Sequence, residues 1–379
     1  MITLNGADWH ALREAFMQAD SQIVSIVHIG DSHIQPEGNT RYVRRALQQQ
    51  FGCAGRGLVS PLRMAGTNAP SDYKLSSESR YASSRLMRAT HPAGMGMSGV
   101  AIAPEIPQFE LTVSSRIPFD RVRIHSVGEA EVDVDDVDSG LMAGYISPTG
   151  CVTELLLTET VSDASLQLKV PKGTSITALE LLQGQCGVQY SAIGNNGATY
   201  SAYSGIAGFG EAVARLHPQL IIISLGTNEG FGRVSEGGIC EQIETLLGEL
   251  RRYNPKAQFL LTTPQECNRR TYVYSNRRKG KRRRRVARYE VNANVARVRD
   301  IINLYAAAHH IAVWDWYDVS GGAGSASKWL AHGLMSNDRI HLTWPGYGVQ
   351  GELLAQALLK EINNNSSQQN ISVDDESAR

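Results

Sequence analysis

No stretch of this 379-residue chain approaches the ~18–20 consecutive apolar residues that a membrane-crossing helix needs, so no transmembrane segment is expected. Net charge is missing as well. Lys and Arg number 37 and so do Asp and Glu, so no whole-molecule field argues for a nucleic-acid or membrane partner. Cysteine is scarce and scattered. Cys53, Cys151, Cys186, Cys240 and Cys267 include no CxxC, and their odd number excludes full pairing within one chain. Isolated buried thiols are expected rather than a disulfide frame or a thiolate metal site. Residues 1–16, MITLNGADWHALREAF, lack a basic segment followed by an apolar one, so no secretory signal is read there. What is present is ordinary for a globular chain whose length suggests two domains. With 42% hydrophobic and 20% charged residues, a core can form without disulfides or metals.

Along the chain, a short amphipathic helix is read over 7–20. The run Ile23, Val24, Ile26, Val27, Ile29 follows, too short and too β-branched for a helix, and reads as a buried parallel strand. It stops abruptly at Gly30-Asp31-Ser32-His33. A helix is expected over Asn39–Phe51 with Gly52 as its stop. Residues 53–108 show no clear period and read as long loops with short strands. Six alternating runs then follow over 105–187, from FELTVSS to TSITALELLQ, and argue for an antiparallel β-sandwich or jelly roll. The acidic string Glu129–Asp138 within it reads as a solvated strand edge in preference to a Ca²⁺ site.

From Val188 strands and helices alternate again. Strands are expected at 220–226, 257–263 and 311–316, and helices near 207–217, 238–253, 287–309 and 346–362. On the second of these helices Ile239, Ile243, Leu246, Leu247 and Leu250 share one face. The run RRKGKRRRR at 277–285 reads as a solvated loop, or a patch facing an anionic polymer such as cell-wall glycan or lipid headgroups, not as a nucleic-acid site. Alternation on both sides of an all-β block means one α/β domain interrupted by an insert. The tail 364–379 is polar and expected to be disordered.

Three later stretches bear on Ser32: the turn Ala192–Tyr200, AIGNNGATY; Gly226-Thr227-Asn228-Glu229, directly after an apolar strand; and Asp338-Arg339-Ile340-His341, before the last helix. Parallel strands put their carboxyl ends on one edge, so Ser32 and Asn228 share an edge. A spacing of three lets the Asp338 carboxylate hold the His341 imidazole in one tautomer. Taken singly, Asn228 reads as a helix or turn cap, Asp338 equally as a helix cap, His28 and His332 as packing or surface histidines, and Trp314, Trp316 and Trp344 as core or hinge aromatics.

The combination Gly30-Asp31-Ser32, a Gly within 192–200, Gly226-x-Asn228 and Asp338-x-x-His341 resembles the SGNH (GDSL) hydrolase family over the whole α/β part, with His33 where many members carry Leu. GDSH, the β insert, and WDWY…GG…DRIHLTxxGY resemble the bacterial peptidoglycan O-acetylesterases most closely. The resemblance implies an α/β three-layer sandwich with a mostly parallel, flavodoxin-like sheet. The catalytic domain would comprise 1–104 and 188–363, and the insert 105–187 would be carbohydrate-binding-module-like. It implies Ser32 as nucleophile, His341 as base and Asp338 as its orienting acid. The oxyanion would be held by the N–H groups of Ser32 and Gly197 and the amide of Asn228. Gly197 is chosen over Gly194 because Gly-Ala-Thr follows the family's Gly-small-Thr pattern. No cofactor or metal is implied. The expected substrate is an acetylated glycan, with the C6 O-acetyl of N-acetylmuramoyl residues first; another acetylated polysaccharide, or a non-catalytic glycan-binding protein, is the alternative. The expected location is the periplasm or cell envelope, reached through a signal not read in this sequence.

Overall fold

The computed structural model describes residues 1–128, 130–138, 140–146, 151–279 and 282–364, with the backbone alone for 145, 146, 275–279 and 282–284. The tail expected to be disordered, apart from Asn364, and Glu129 of the acidic string lie outside the described residues.

A six-stranded sheet runs in the order Ile2–Thr3, Ala312–Trp314, Gln258–Thr262, Pro218–Ser224, Ile23–Gly30, Gly187–Gly194. Neighbours are parallel except the first strand, which is antiparallel. The apolar runs are continuous because both faces are covered. Val27, Ile29, Ile221, Ile223 and Leu261 enter one core, while Val24, Ile26, Leu220, Ile222 and Leu260 enter the other. The first core is closed by helices Glu236–Tyr253 and Ala293–Ala308, the second by His10–Met17, Thr40–Phe51 and Trp344–Ile362. Each buried Leu or Ile on Glu236–Tyr253 contributes about 1.5–3 kcal/mol. The three-layer α/β arrangement expected from the sequence is present.

In sequence between the paired strands Ile23–Gly30 and Gly187–Gly194, the chain forms a nine-stranded antiparallel sheet. Its two longest strands, Gln108–Val127 and Val152–Lys169, pair along most of their length, with register shifts between Leu156 and Asp163. Residues from both halves of each strand, such as Leu111 with Ile124 and Leu155 with Leu166, share one core. The acidic strand Asp133–Val137 sits at the end of the strand order, an edge position.

Two boundaries differ from the sequence reading. The antiparallel unit starts well before 105, because Gly55–Val59, Tyr73–Ser76, Tyr81–Arg85 and Val100–Pro104 all join its sheet. Strands of four or five residues between Gly, Ser and Pro turns are too short for a period of two to register. Gly55–Val59 wedges between the units. A Cβ on Gly55 would meet the Leu181 carbonyl at 2.5 Å, and one on Gly57 the Tyr190 carbonyl at 2.7 Å; both glycines have positive φ, 106° and 79°. The second difference is a hairpin, Asn268–Lys279 with Arg282–Val291, occupying the start of the helix expected over 287–309. That helix begins at Ala293. Arg, Ala and Glu are good helix formers, so composition hid the alternation through Val286–Val291.

Candidate active site

The strands ending at Gly30, Gly194 and Ser224 stop level, since Gly30 pairs in register with both of the others. The chain leaves each strand on the same edge, where an open parallel sheet holds its ligands.

At the first exit the backbone folds back on itself at once. A Cβ on Gly30 would lie 2.2 Å from Ile34 Cγ1 and 2.8 Å from the Ser224 carbonyl. Asp31 Oδ1 accepts from the His33 N–H at 2.9 Å, and the Asp31 carbonyl accepts from the Ile34 and Gln35 N–H groups at 3.1 and 3.0 Å. This turn holds Ser32 half-buried at the rim.

Ser32 Oγ is 2.8 Å from His341 Nε2. His341 Nδ1 is 2.7 Å from Asp338 Oδ2, and Asp338 Oδ1 accepts from the N–H groups of Ile340 and His341 at 2.9 and 3.0 Å. The loop bearing them is pinned at several points. Ser336 N–H donates to the His341 carbonyl at 2.8 Å, Asn268 N–H to the Arg339 carbonyl at 2.9 Å, and Gln265 Nε2 to the Ile340 carbonyl at 3.2 Å. Burial works against the Asp338 charge, but the hydrogen bond from His341 and the two N–H groups outweigh it and hold the carboxyl at about 2. The hydrogen bond to Asp338 raises the His341 pKa above its ordinary value, against the opposing effect of burial.

At the second exit, Asn195 N–H donates to the Gly30 carbonyl at 3.2 Å, and its buried amide reaches the Ser98 carbonyl and Tyr203 Oη, each at 3.0 Å. Gly194 packs backbone to backbone: a Cβ there would lie 2.2 Å from the Gln35 nitrogen. Gly197 has φ 83° and open space beside it, with Met87 Cγ 3.8 Å from where a Cβ would be. At the third exit, Gly226 turns with φ 116°. Asn228 Nδ2 donates to the Ala198 carbonyl at 2.9 Å and to Asp31 Oδ2 at 3.2 Å. Asp31 thus joins the first exit to the third, and Asn228 joins the third to the second. Burial pushes the Asp31 carboxyl up to about 6, despite the hydrogen bond from His33 and the nearby His341.

Ser32, Asp338 and His341 are therefore brought together, with Asn228 beside Asp31 and Gly197 one residue before Ala198. His28 is a core histidine between Tyr190 Oη and Ser224 Oγ, at 2.6 Å from each. His33 is buried with its ring centroid 5.1 Å from that of His341, and its Nδ1 lies 3.1 Å from Tyr347 Oη. Burial lowers the His33 pKa to about 3, with His341 adding to the effect, so the ring beside the His341 imidazole is neutral. Sequence reasoning misses the contributions of Asp31 and Tyr347. Asp31 is visible within its block, whereas nothing local marks Tyr347. Among the described residues no group of three or more His, Cys, Asp or Glu is placed to hold a metal.

The sequence model of the GDSL-like lipase/acylhydrolase family matches residues 172–349, a span that contains the second, third and fourth blocks. The fold aligns over 96% of this chain and 99% of the other with a peptidoglycan O-acetylesterase, at 20% identity and a TM-score of 0.79. Residues 172–349 therefore carry the GDSL-like acylhydrolase pattern, on the same fold as that esterase. The acylhydrolase match over this span indicates a carboxylic ester hydrolase. Looser matches include an acetyl xylan esterase, AlAXEase, at 13% identity over 45% of this chain and 81% of that one, TM-score 0.34. A family two carbohydrate esterase from Cellvibrio japonicus matches at 11% identity over 76% of this chain and 98% of that one, TM-score 0.32. None of the curated proteins compared matches this chain.

Proposed function

We propose that this hydrolase is a serine esterase that removes O-acetyl groups from a glycan, with the C6 O-acetyl of N-acetylmuramoyl residues in peptidoglycan as substrate. One observation carries the mechanism: the unbroken chain from Ser32 Oγ through His341 to Asp338, at 2.8 and 2.7 Å. In this mechanism Ser32 Oγ attacks the acetyl carbonyl while His341 Nε2 takes its proton. Asp338 keeps Nδ1 protonated and stabilises the imidazolium. The tetrahedral oxyanion is received by the N–H groups of Ser32 and Gly197 and by Asn228 Nδ2. The Asn228 amide is engaged at 3.2 Å by Asp31, a long contact that an oxyanion can displace. Collapse releases the sugar alcohol, which carries away the proton from His341. Water, deprotonated by the same His341, then cleaves the acetyl–Ser32 ester to acetate and restores the hydroxyl.

The peptidoglycan assignment is supported by the end-to-end likeness to a peptidoglycan O-acetylesterase, which includes the antiparallel unit. On this reading the protein works in the cell envelope, with the α/β part as catalytic domain and the antiparallel unit, which begins near Gly55, as a glycan-binding module. The test is acetate release from O-acetylated peptidoglycan and from 4-nitrophenyl acetate by wild type and Ser32→Ala. Loss on the order of 10⁴–10⁶-fold in turnover is expected. Unchanged release by the variant would exclude Ser32 as nucleophile. Equal or faster release from acetylated xylan would move the substrate to another polysaccharide.

A further inference from the structure

Beside the triad lies an aromatic and cationic surface that the chemistry above does not use. Trp314 and Trp316 are buried at 1% and 2% exposure, while Trp344 is 51% exposed. It follows His341 by three residues, so its backbone lies within about 11 Å of that of the base. The Arg41 guanidinium carbon sits 4.8 Å from the centre of the Trp344 ring and 5.2 Å from that of Tyr42. Arg41 belongs to helix Thr40–Phe51, which begins just after the Ser32 loop, and Trp344 opens helix Trp344–Ile362. Neither helix carries an acid in its first turn.

Neighbouring arginines differ from Arg41. Arg44 and Arg56 are buried and ion-paired with Glu37 and Asp72 at 2.5–2.9 Å. Among the described residues no carboxylate forms an ion pair with Arg41, so its cation is stacked on rings but carries no counter-charge. From Arg41 a groove of about 560 Å³ runs along the helix past exposed Arg45 towards Ile117 of the antiparallel unit.

We propose that Trp344 and Arg41 form a substrate subsite for a carboxylate-bearing glycan. The Trp344 ring packs on a sugar, and Arg41 pairs with a carboxylate carried by the glycan close to the acetyl ester. The stem peptides of peptidoglycan supply such carboxylates and a hemicellulose such as acetylated xylan backbone does not. An indole face suits the apolar C–H face of a pyranose. A guanidinium already oriented by two rings loses little freedom on pairing with a carboxylate and offers it a two-pronged set of donors. This assignment rests on the peptidoglycan reading above and sharpens it.

The test compares O-acetylated peptidoglycan oligomers with the same oligomers after amidation of their carboxylates. KM for acetate release is measured for wild type, Arg41→Gln, Arg41→Lys and Trp344→Leu. Arg41→Gln is expected to raise KM for the carboxylate form about tenfold relative to KM for the amidated form, with Arg41→Lys between it and wild type. Trp344→Leu is expected to raise KM for both forms. Because the readout is a ratio of two substrates on one preparation, a loss of folded fraction cancels. An Arg41→Gln ratio equal to that of wild type would overturn the subsite while leaving the esterase intact. A wild type that hydrolyses 4-nitrophenyl acetate but neither oligomer would overturn the peptidoglycan reading and the subsite together.

Discussion

Replacing Asp31 by Asn separates what this carboxylate costs the fold from what it does for the site. Asp31 is 1% exposed, and burial raises its pKa from 3.8 to about 6. The folded protein therefore binds this proton more tightly than the unfolded chain. Its favourable contribution is complete below 3.8 and is lost as pH rises through about 6. At 1.36 kcal/mol per pKa unit, the interval between 3.8 and about 6 corresponds to about 3 kcal/mol. An amide does not ionise, so Asp31→Asn escapes that loss. Urea unfolding of both proteins at about pH 4 and about pH 7.5 measures it. Between those conditions the variant is expected to gain about 1–3 kcal/mol on wild type. Parallel stability curves would refute the claim that Asp31 is ionised against its surroundings at neutral pH. The gain is expected to come with a loss of activity. Asp31 Oδ2 accepts from Asn228 Nδ2 at 3.2 Å. In the variant an amide nitrogen in place of that oxygen would oppose donor to donor and turn the Asn228 side chain away. Removing one oxyanion donor costs about 10²–10³ in turnover. An Asp31→Asn enzyme with wild-type kcat on 4-nitrophenyl acetate would show that Asn228 is not held by Asp31, or does not hold the oxyanion.

Two further outcomes follow from the same geometry. Asp338→Asn is expected to lower kcat by about 10⁴. Because the Asp338 hydrogen bond is the main cause of the raised His341 pKa, the variant should also shift the acidic limb of kcat/KM to lower pH; a limb that stays in place would contradict the pairing. Gly194→Ala would put a Cβ 2.2 Å from the Gln35 nitrogen and is expected to destabilise by about 3 kcal/mol or more. Gly197→Ala has room and meets only the strain of φ 83°, about 1–2 kcal/mol. Thermal melts that rank the two the other way would contradict the close approach at Gly194.

What could be read in the sequence and what could not divide along a physical line. Ile23–Gly30 was legible because a parallel strand covered on both faces must be apolar at nearly every position. The level ends at Gly30, Gly194 and Ser224 then follow from parallel pairing alone. Asp338 and His341 were legible as a pair because three residues suffice to bring carboxylate to imidazole. The strands between Gly55 and Pro104 were not, since four or five residues carry no usable period. Trp344 could not be told from Trp316 by type or by hydrophobicity; what separates them is that one opens a helix at the rim and the other is stacked 5.1 Å from Trp314 in the core. Arg56 is the extreme case. A lone arginine between two glycines reads as surface, yet it is fully buried, paired with Glu37 at 2.7 Å and Asp72 at 2.9 Å, and set 4.7 Å from the centre of the Tyr73 ring. An unpaired charge there would be ruled out by desolvation, so its burial depends on two carboxylates at different places in the chain. Glu37 belongs to the segment just after Ser32 and Asp72 to the antiparallel unit, so the cluster that neutralises Arg56 also ties that unit to the Ser32 segment. Periodic patterns report burial that each element achieves by itself. Compensated burial is a property of the assembled partners, and here it lies at the seam where the antiparallel unit meets the parallel sheet.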